Sequence, residues 1–326
     1  MEHIGIDMGG TKVSGALFDD SNRIVATEVL YLEGRGGDDV TSLIFSLCNK
    51  LMEISMIENR SAENIADARI DIGVCVPGIA YSKRGTVWAP NISGWDDYPL
   101  GDKLKERYPC SSVTIESDRT CYILGEVSQG VAKGCQNAIF IAVGTGIGAG
   151  ILIDGRVLHG ASDIVGATGW MALKPPYRTE WDERGCFESF CSGTGIAIEA
   201  RKMVAELIGT HNYNGVLASY PIEKISAREV FAAYDNGDPI AVEVLENAIE
   251  MWGMAAANLV SLFNPEMIIF GGGIFGPAVK FIDRIYSEAK KWAQPIAIEQ
   301  CRFAATQLPD NAGLYGAGVI AAQNPD

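Results

Sequence analysis

The chain has 326 residues, of which 48% are hydrophobic and 21% charged, a composition that excludes disorder and coiled coil. At roughly 150 residues per domain it is long enough for two, each able to bury a core without disulfide or metal staples. Its formal net charge of −15 repels phosphate backbones and anionic lipid, so neither a nucleic-acid surface nor a membrane surface is expected, and a nucleotide would need its phosphates neutralised locally by backbone N–H groups or Mg²⁺.

In chain order, a short apolar strand over residues 3–6 runs into Asp7-Met8-Gly9-Gly10-Thr11-Lys12. A second strand at 13–18, the turn Asp19-Asp20-Ser21-Asn22 and a third strand at 23–26 follow. Helices are expected over 39–57, 100–108 and 119–132, with strands at 70–76 and 112–116 between them. About 135 residues after the start the opening repeats: a strand at 138–143, the turn Gly144-Thr145-Gly146-Ile147-Gly148, a strand at 149–153, the turn Asp154-Gly155 and a strand at 156–158. Those glycines interrupt the longest apolar run, which therefore reads as strand–turn–strand and not as a membrane span. Later helices are expected near 195–208, 227–234 and 240–263; Ser226-x-x-Glu229 opens the second as a capping box, and Asn264-Pro265 ends the third. A buried strand at 267–270 meets Gly271-Gly272-Gly273, and a helix near 314–322 closes the chain. Strands alternating with helices argue for α/β layers, with a boundary near Ser117: residues 1–117, completed by 310–326, form one lobe and residues 118–309 the other. The N-terminus lacks the basic and apolar regions of a signal peptide. The eight cysteines contain no C-x-x-C pair, so they read as reduced core residues of a cytoplasmic protein.

Three glycine turns thus follow apolar strands, and consecutive N–H groups in such turns form anion-binding nests. Taken singly, each is as well explained as a tight hairpin. Gly271-x-Gly273-x-x-Gly276 mimics a dinucleotide fingerprint, but the acidic residues that follow, Asp283 and Glu288, lie in a helical pattern and not at the end of a second strand. A P-loop sequence is absent. Two carboxylates are placed for chemistry. Asp7 ends the first strand at the glycine turn and is the candidate Mg²⁺ ligand, directly or through water. Asp118 stands between a strand and a helix, where it reads either as an exposed acid or as the N-cap of that helix.

These motifs together resemble the ROK family of sugar kinases, within the actin/hexokinase/Hsp70 superfamily, over essentially the whole chain. The resemblance is carried by residues 5–12, Val76-Pro77-Gly78-Ile79, Ala89-Pro90-Asn91-Ile92 with Trp95, Asp118 with Leu124-Gly125-Glu126, residues 143–150, Gly185-Cys186-Phe187-Glu188-Ser189 with Ser192-Gly193, Ile269 through Gly273, and Gly313-Leu314-Tyr315-Gly316-Ala317. It implies a two-lobed, actin-like (ribonuclease H-like) α/β fold in which a duplicated βββαβα unit flanks a central cleft, with ATP, Mg²⁺ and a sugar bound there, and a homodimer. It makes Asp118 the general base. Gly78, Asn91, Ser117, Glu188 and Trp170 then fall at the sugar, and Gly9, Gly10, Thr11, Lys12, Gly144, Thr145, Gly146, Gly271, Gly272 and Gly273 at the nucleotide.

The departures from that pattern matter equally. The family's Asn-Asp is Ser117-Asp118 here, and its Glu-x-Gly-His is Ala167-Thr168-Gly169-Trp170, which removes a sugar-binding glutamate and a histidine. Its zinc loop, C-x-C-G-x-x-G-C, reads Thr179-Glu180-Trp181-Asp182-Glu183-Arg184-Gly185-Cys186, leaving one thiolate where a tetrahedral site needs four ligands; no structural zinc is expected. Trp170 reads as a platform for a sugar ring or as a core aromatic, and the neighbouring Met171, Ala172 and Leu173 favour the core. Asp163 and Asp182 are candidates to replace the lost carboxylate. The function expected is ATP-dependent phosphorylation of a sugar other than plain glucose; the competing reading is a sugar- or nucleotide-binding protein that has lost catalysis.

Overall fold

The computed structural model describes residues 2–59, 69–208 and 213–323. They fall into two units: residues up to 134 with 157–165 and those from 307 on, and residues 135–156 with 166–306. The first unit carries β1 (His3–Met8), β2 (Lys12–Phe18), β3 (Ile24–Tyr31), α1 (Gly37–Asn59), β4 (Asp71–Val76), β5 (Ile79–Tyr81), β6 (Thr86–Trp88), α2 (Leu100–Arg107), β7 (Val113–Ser117) and α3 (Asp118–Gln129). The second carries β8 (Ala138–Val143), β9 (Ile147–Ile153), β10 (Arg156–Val157), α4 (Cys186–Cys191), α5 (Gly193–Ile208), α6 (Ala227–Asp235), α7 (Pro239–Phe263), β11 (Met267–Gly271), α8 (Ile282–Ala289), α9 (Pro295–Gln300) and β12 (Arg302–Ala305). The closing helix, α10 (Ala312–Ala322), returns to the first unit.

Each unit holds a five-stranded sheet, in the order β3-β2-β1-β4-β7 and β10-β9-β8-β11-β12. The first hairpin is antiparallel in both (β1 with β2, β8 with β9), and the two later strands add parallel (β4 and β7, β11 and β12). The repeat seen in the sequence is therefore a repeat of topology. Strands β1, β4, β8 and β11 are buried along nearly their whole length, as continuous apolar runs in a covered sheet must be. Strand β3, at an edge, alternates between half-buried and exposed. No helix among the described residues is long and apolar enough to cross a membrane.

Glycine decides how α10 packs. An added Cβ at Gly73 on β4 would lie 2.0 Å from the Ala317 carbonyl oxygen, one at Gly316 would lie 2.0 Å from that of Cys121, and one at Gly125 on α3 would lie 2.2 Å from that of Ala312. Helix α10 thus meets β4 and α3 backbone to backbone, which explains its run of small residues. Buried Glu126 secures the segment before it, accepting N–H groups of Val131 (2.8 Å), Gln307 (3.1 Å) and Leu308 (3.1 Å). Gly73→Ala is expected to destabilise the protein by about 3 kcal/mol or more, at the upper end of overpacking because a carbonyl cannot move aside as a side chain can. Urea denaturation measures this, and an unchanged midpoint would mean that α10 does not dock on β4.

Several boundaries differ from expectation for local reasons. Helix α3 ends at Gln129 and not at 132: the Glu126 side chain turns back to accept the Val131 N–H at 2.8 Å, in the space that a Cβ on Gly130 would fill. The capping box at Ser226 and Glu229 forms, and α7 ends on Asn264 in the left-handed conformation (φ 46°) that asparagine tolerates. The short elements β5, β6, α4, α9 and β12 were not expected.

Candidate active site

In the first unit the turn Gly9-Gly10-Thr11-Lys12 closes the β1–β2 hairpin, with the Gly9 N–H donated to the Lys12 carbonyl at 2.8 Å. The hairpin reading of this cluster is therefore correct as structure, and Gly10, Thr11 and Lys12 leave its outer surface exposed. Asn91 lies beside it: a Cβ on Gly10 would stand 3.9 Å from that of Asn91. Asp7 pairs across to Cys75 on β4. Burial raises its pKa above the ordinary carboxylate value, opposed by a hydrogen bond with the Cys75 thiol and by the charge of Lys12. An added Cβ on Gly313 would lie 2.7 Å from both Asp7 carboxylate oxygens, so the absence of a side chain there forms the cradle in which that carboxylate sits.

Strand β7 delivers Ser117 and Asp118 at its carboxyl end. Ser117 occupies the N-cap position of α3 without a side-chain cap bond, and its hydroxyl instead accepts the Ala80 N–H at 3.3 Å. Asp118 is the first helical residue, so the N-cap reading of Asp118 is corrected: its carboxylate turns to its own neighbour, accepting the Arg119 N–H at 2.8 Å. Burial raises the Asp118 pKa to about 6; the charge and N–H of Arg119 oppose the shift, and the charge of Asp7 adds to it. Two half-buried carboxylates thus feel each other, the arrangement in which acid–base groups are tuned. Gly78 has a local explanation, since at φ 154° a Cβ would stand 2.1 Å from the Trp88 carbonyl oxygen, inside the β5–β6 hairpin.

In the second unit a groove of about 530 Å³ runs along α5. Gly144, Thr145 and Gly273 line one end of it. Cβ atoms at Gly144 and Gly273 would meet nothing within 4 Å, so these glycines leave backbone open to a ligand. Gly271 and Gly272 differ: a Cβ would strike the Phe140 ring at 2.3 Å or the Val143 carbonyl at 2.5 Å, so both are required by packing. Helix α5 starts at this end, with the Gly193 N–H donated to the Gly144 carbonyl at 2.7 Å and the Gly195 N–H to Ser192 Oγ at 3.0 Å. Its N-terminal dipole therefore faces the turn. Glu188, on α4, accepts the Ile147 N–H at 2.7 Å and lies 2.8 Å from where a Cβ on Gly146 would be, so it braces this turn; burial raises its pKa.

The Ala167-Thr168-Gly169-Trp170 segment ends in a one-turn 3₁₀ helix (Thr168–Trp170) in which Thr168 and Gly169 are buried. Trp170 is 56% exposed. The core reading of Trp170 is therefore corrected: the turn spends its inward positions on the two smaller residues, and the indole is left outside. In the segment Thr179 to Cys186, Trp181 packs edge-on against Phe190, and buried Cys186 turns its thiol toward the Lys174 carbonyl. No group of three or more His, Cys, Asp or Glu among the described residues is placed to hold a metal. Asp163 accepts both the N–H and the hydroxyl of Ser82, and Asp182 accepts the Tyr177 hydroxyl. Neither offers its carboxylate unencumbered. The groove also contains Arg184, Thr194, Arg201 and Ser226, which sequence reasoning did not assign to a site; Ser226 stood out only as a helix cap.

A duplicated mixed sheet with glycine hairpins at the strand ends defines the actin-like ATPase fold. The chain belongs to the ROK family, whose model matches residues 3–324. It is 29% identical to a glucokinase of Halalkalibacterium halodurans, over 98% of this chain and 95% of that protein. It is 25% identical to an N-acetyl-D-glucosamine kinase of Escherichia coli O139:H28, over 98% of each. Among solved structures, the ROK family glucokinase of Streptomyces griseus in complex with glucose and AMPPNP superposes with a TM-score of 0.73 at 26% identity, over 99% of this chain and 100% of that one.

Proposed function

We propose that this chain, an ATP-dependent carbohydrate kinase of the ROK family, phosphorylates a hydroxyl of a sugar other than plain glucose with Asp118 as general base. The observation that carries the role of Asp118 is its setting. It is a carboxylate at a strand's carboxyl end, raised toward neutrality by burial and by Asp7, and the N-cap position is held by Ser117 and not by Asp118. A base of that kind accepts the proton of an attacking hydroxyl as the phosphoryl group arrives, while the protein otherwise positions groups and neutralises charge. ATP is assigned to Gly9, Gly10, Thr11 and Lys12 in the first unit and to Gly144, Thr145, Gly146 and Gly273 in the second. Mg²⁺ fits the first unit: it takes one or two carboxylates and completes its shell with phosphate oxygens and water, and the cradled Asp7 carboxylate supplies such a ligand directly or through water. When bound it would offset phosphate charge.

On the sugar side the proposal retains Asn91, Gly78, Ser117 and Glu188 and adds Trp170, whose exposed ring can stack on the apolar face of a sugar. Ala167 offers no carboxylate, which is why the substrate is placed outside plain glucose. Structural zinc has no part in this reading. A coupled assay of ATP turnover over about fifty monosaccharides and aminosugars tests it. The expected result is sugar-dependent ADP release with a best substrate that is not glucose. Turnover with none of them would leave a binding protein and overturn the catalytic assignment.

A further inference from the structure

The groove along α5 is chemically polarised. Its one end is the open backbone of Gly144 and Gly273 with the start of α5, and its middle is walled by Ala197, Ile198 and Ile274. Its far end is Arg201, with Ser226 and Ala227 beside it. Eight helical residues separate Gly193 from Arg201, about 12 Å at 1.5 Å per residue. A cation lies toward each end: Arg184 lines the groove and acts on Glu188, the carboxylate that braces the glycine turn, and Arg201 lies two helical turns along α5 from Gly193. Arg184 is two-thirds covered and its nearest acidic contact is a loose one, 3.9 Å to Glu183, which is itself 86% exposed. Arg201 donates Nε to the Ile225 carbonyl at 2.7 Å, which fixes the plane of its guanidinium and leaves four further N–H donors and two flat faces.

An anion nest, an apolar middle and a planar cation in that order match a molecule with a phosphate tail and a flat heterocycle. Arginine serves both ends for different reasons: its fork pairs with phosphate oxygens, and its plane stacks on aromatic rings. We propose that two arginines divide the nucleotide between them, Arg184 taking the phosphate end and Arg201 the base. This rests on the reading of the chain as an ATP-dependent kinase and adds to it the residues that read the cosubstrate. In a chain of net charge −15 with no P-loop lysine, Arg184 offsets the Glu188 carboxylate at the glycine turn and supplies the positive charge that phosphate would meet there.

Isothermal titration of wild type, Arg184→Gln and Arg201→Met with Mg-ATP, with adenosine and with inorganic tripolyphosphate separates the two ends. Arg201→Met should weaken adenosine and ATP by the same factor, roughly 2- to 30-fold, and leave tripolyphosphate unchanged. Arg184→Gln should weaken ATP and tripolyphosphate by roughly 10- to 150-fold and leave adenosine unchanged. Arg201→Gln keeps N–H donors for the Ile225 carbonyl without the charge and must show the same split should the methionine variant melt early. If wild type binds ATP and the variants do not split the probes this way, the division of labour is wrong and the kinase reading stands. If wild type binds none of the three probes, both readings fall together.

Discussion

Asp118→Asn is expected to lower kcat by at least ~100-fold on the best sugar, within the ~10²–10⁴-fold that a positioned base contributes, while nucleotide binding is kept. The pH profile is the sharper signature. A base works ionised, and burial has moved the ionisation of Asp118 up to about 6. Activity should therefore be full above about pH 7 and fall roughly tenfold per unit below about 6. Mg²⁺ at Asp7 would remove the repulsion that helps raise this value, so the limb in kcat should lie below the limb in kcat/KM. The sign of the stability effect separates a base from a structural acid. A carboxyl whose folded pKa is raised favours folding in its protonated form below its unfolded pKa, and that contribution is lost as pH rises through about 6. Removing the charge at pH 8 should then leave the melting temperature equal or higher. A variant that keeps half its activity, or one that loses activity only because it melts, would return Asp118 to a local structural role.

The sequence is most legible where one chemical pattern is repeated. The strand, glycine turn, strand motif at residues 3–18 recurs at 138–153, and both copies fold into the same hairpin beside the same parallel strands. Buried strands such as β11 announce themselves as apolar runs, and α6 and α7 by their caps. What stays hidden is decided by packing between segments far apart in sequence. Gly271, Gly272 and Gly273 are one residue type in one run, yet two are demanded by Phe140 and Val143 and only the third faces the groove. Trp170, flanked by Met171 and Leu173, has the sequence of a core residue, and only the short turn around Gly169 puts it outside. Asp118 could be told from an N-cap only once Ser117 was seen to hold that position. Strand β12 has four residues and no alternation to betray it, and its place is fixed by the edge of β11.

Glucose is expected to be a poor substrate, although two of its relatives carry the name glucokinase. The resemblance to the family pattern implies a sugar-binding glutamate where Ala167 stands and a histidine where Trp170 stands. A hydrogen bond to a charged group contributes about 1.5–3 kcal/mol, so loss of the glutamate contact alone weakens discrimination in favour of glucose roughly 10- to 150-fold. Ser117 in place of the asparagine before the base weakens the grip further, because a hydroxyl brings one donor where an amide brings two, and one of its lone pairs accepts the Ala80 N–H. The candidate replacements are engaged too. Asp163 is held by the N–H and hydroxyl of Ser82, and Asp182 by the Tyr177 hydroxyl. The exposed indole of Trp170 meanwhile offers an apolar face, suited to a deoxy, methylated or differently configured sugar, and a site built for other contacts rejects unmatched hydroxyls by leaving buried polar groups unpaired. The comparison is kcat/KM for glucose against the best sugar of the screen. Should glucose reach ~10⁵ M⁻¹s⁻¹, well inside the range of a good enzyme, the argument from Ala167 and Trp170 fails. Asp163→Asn then becomes the decisive variant, since a selective loss of glucose turnover would show that this carboxylate leaves Ser82 to bind the sugar.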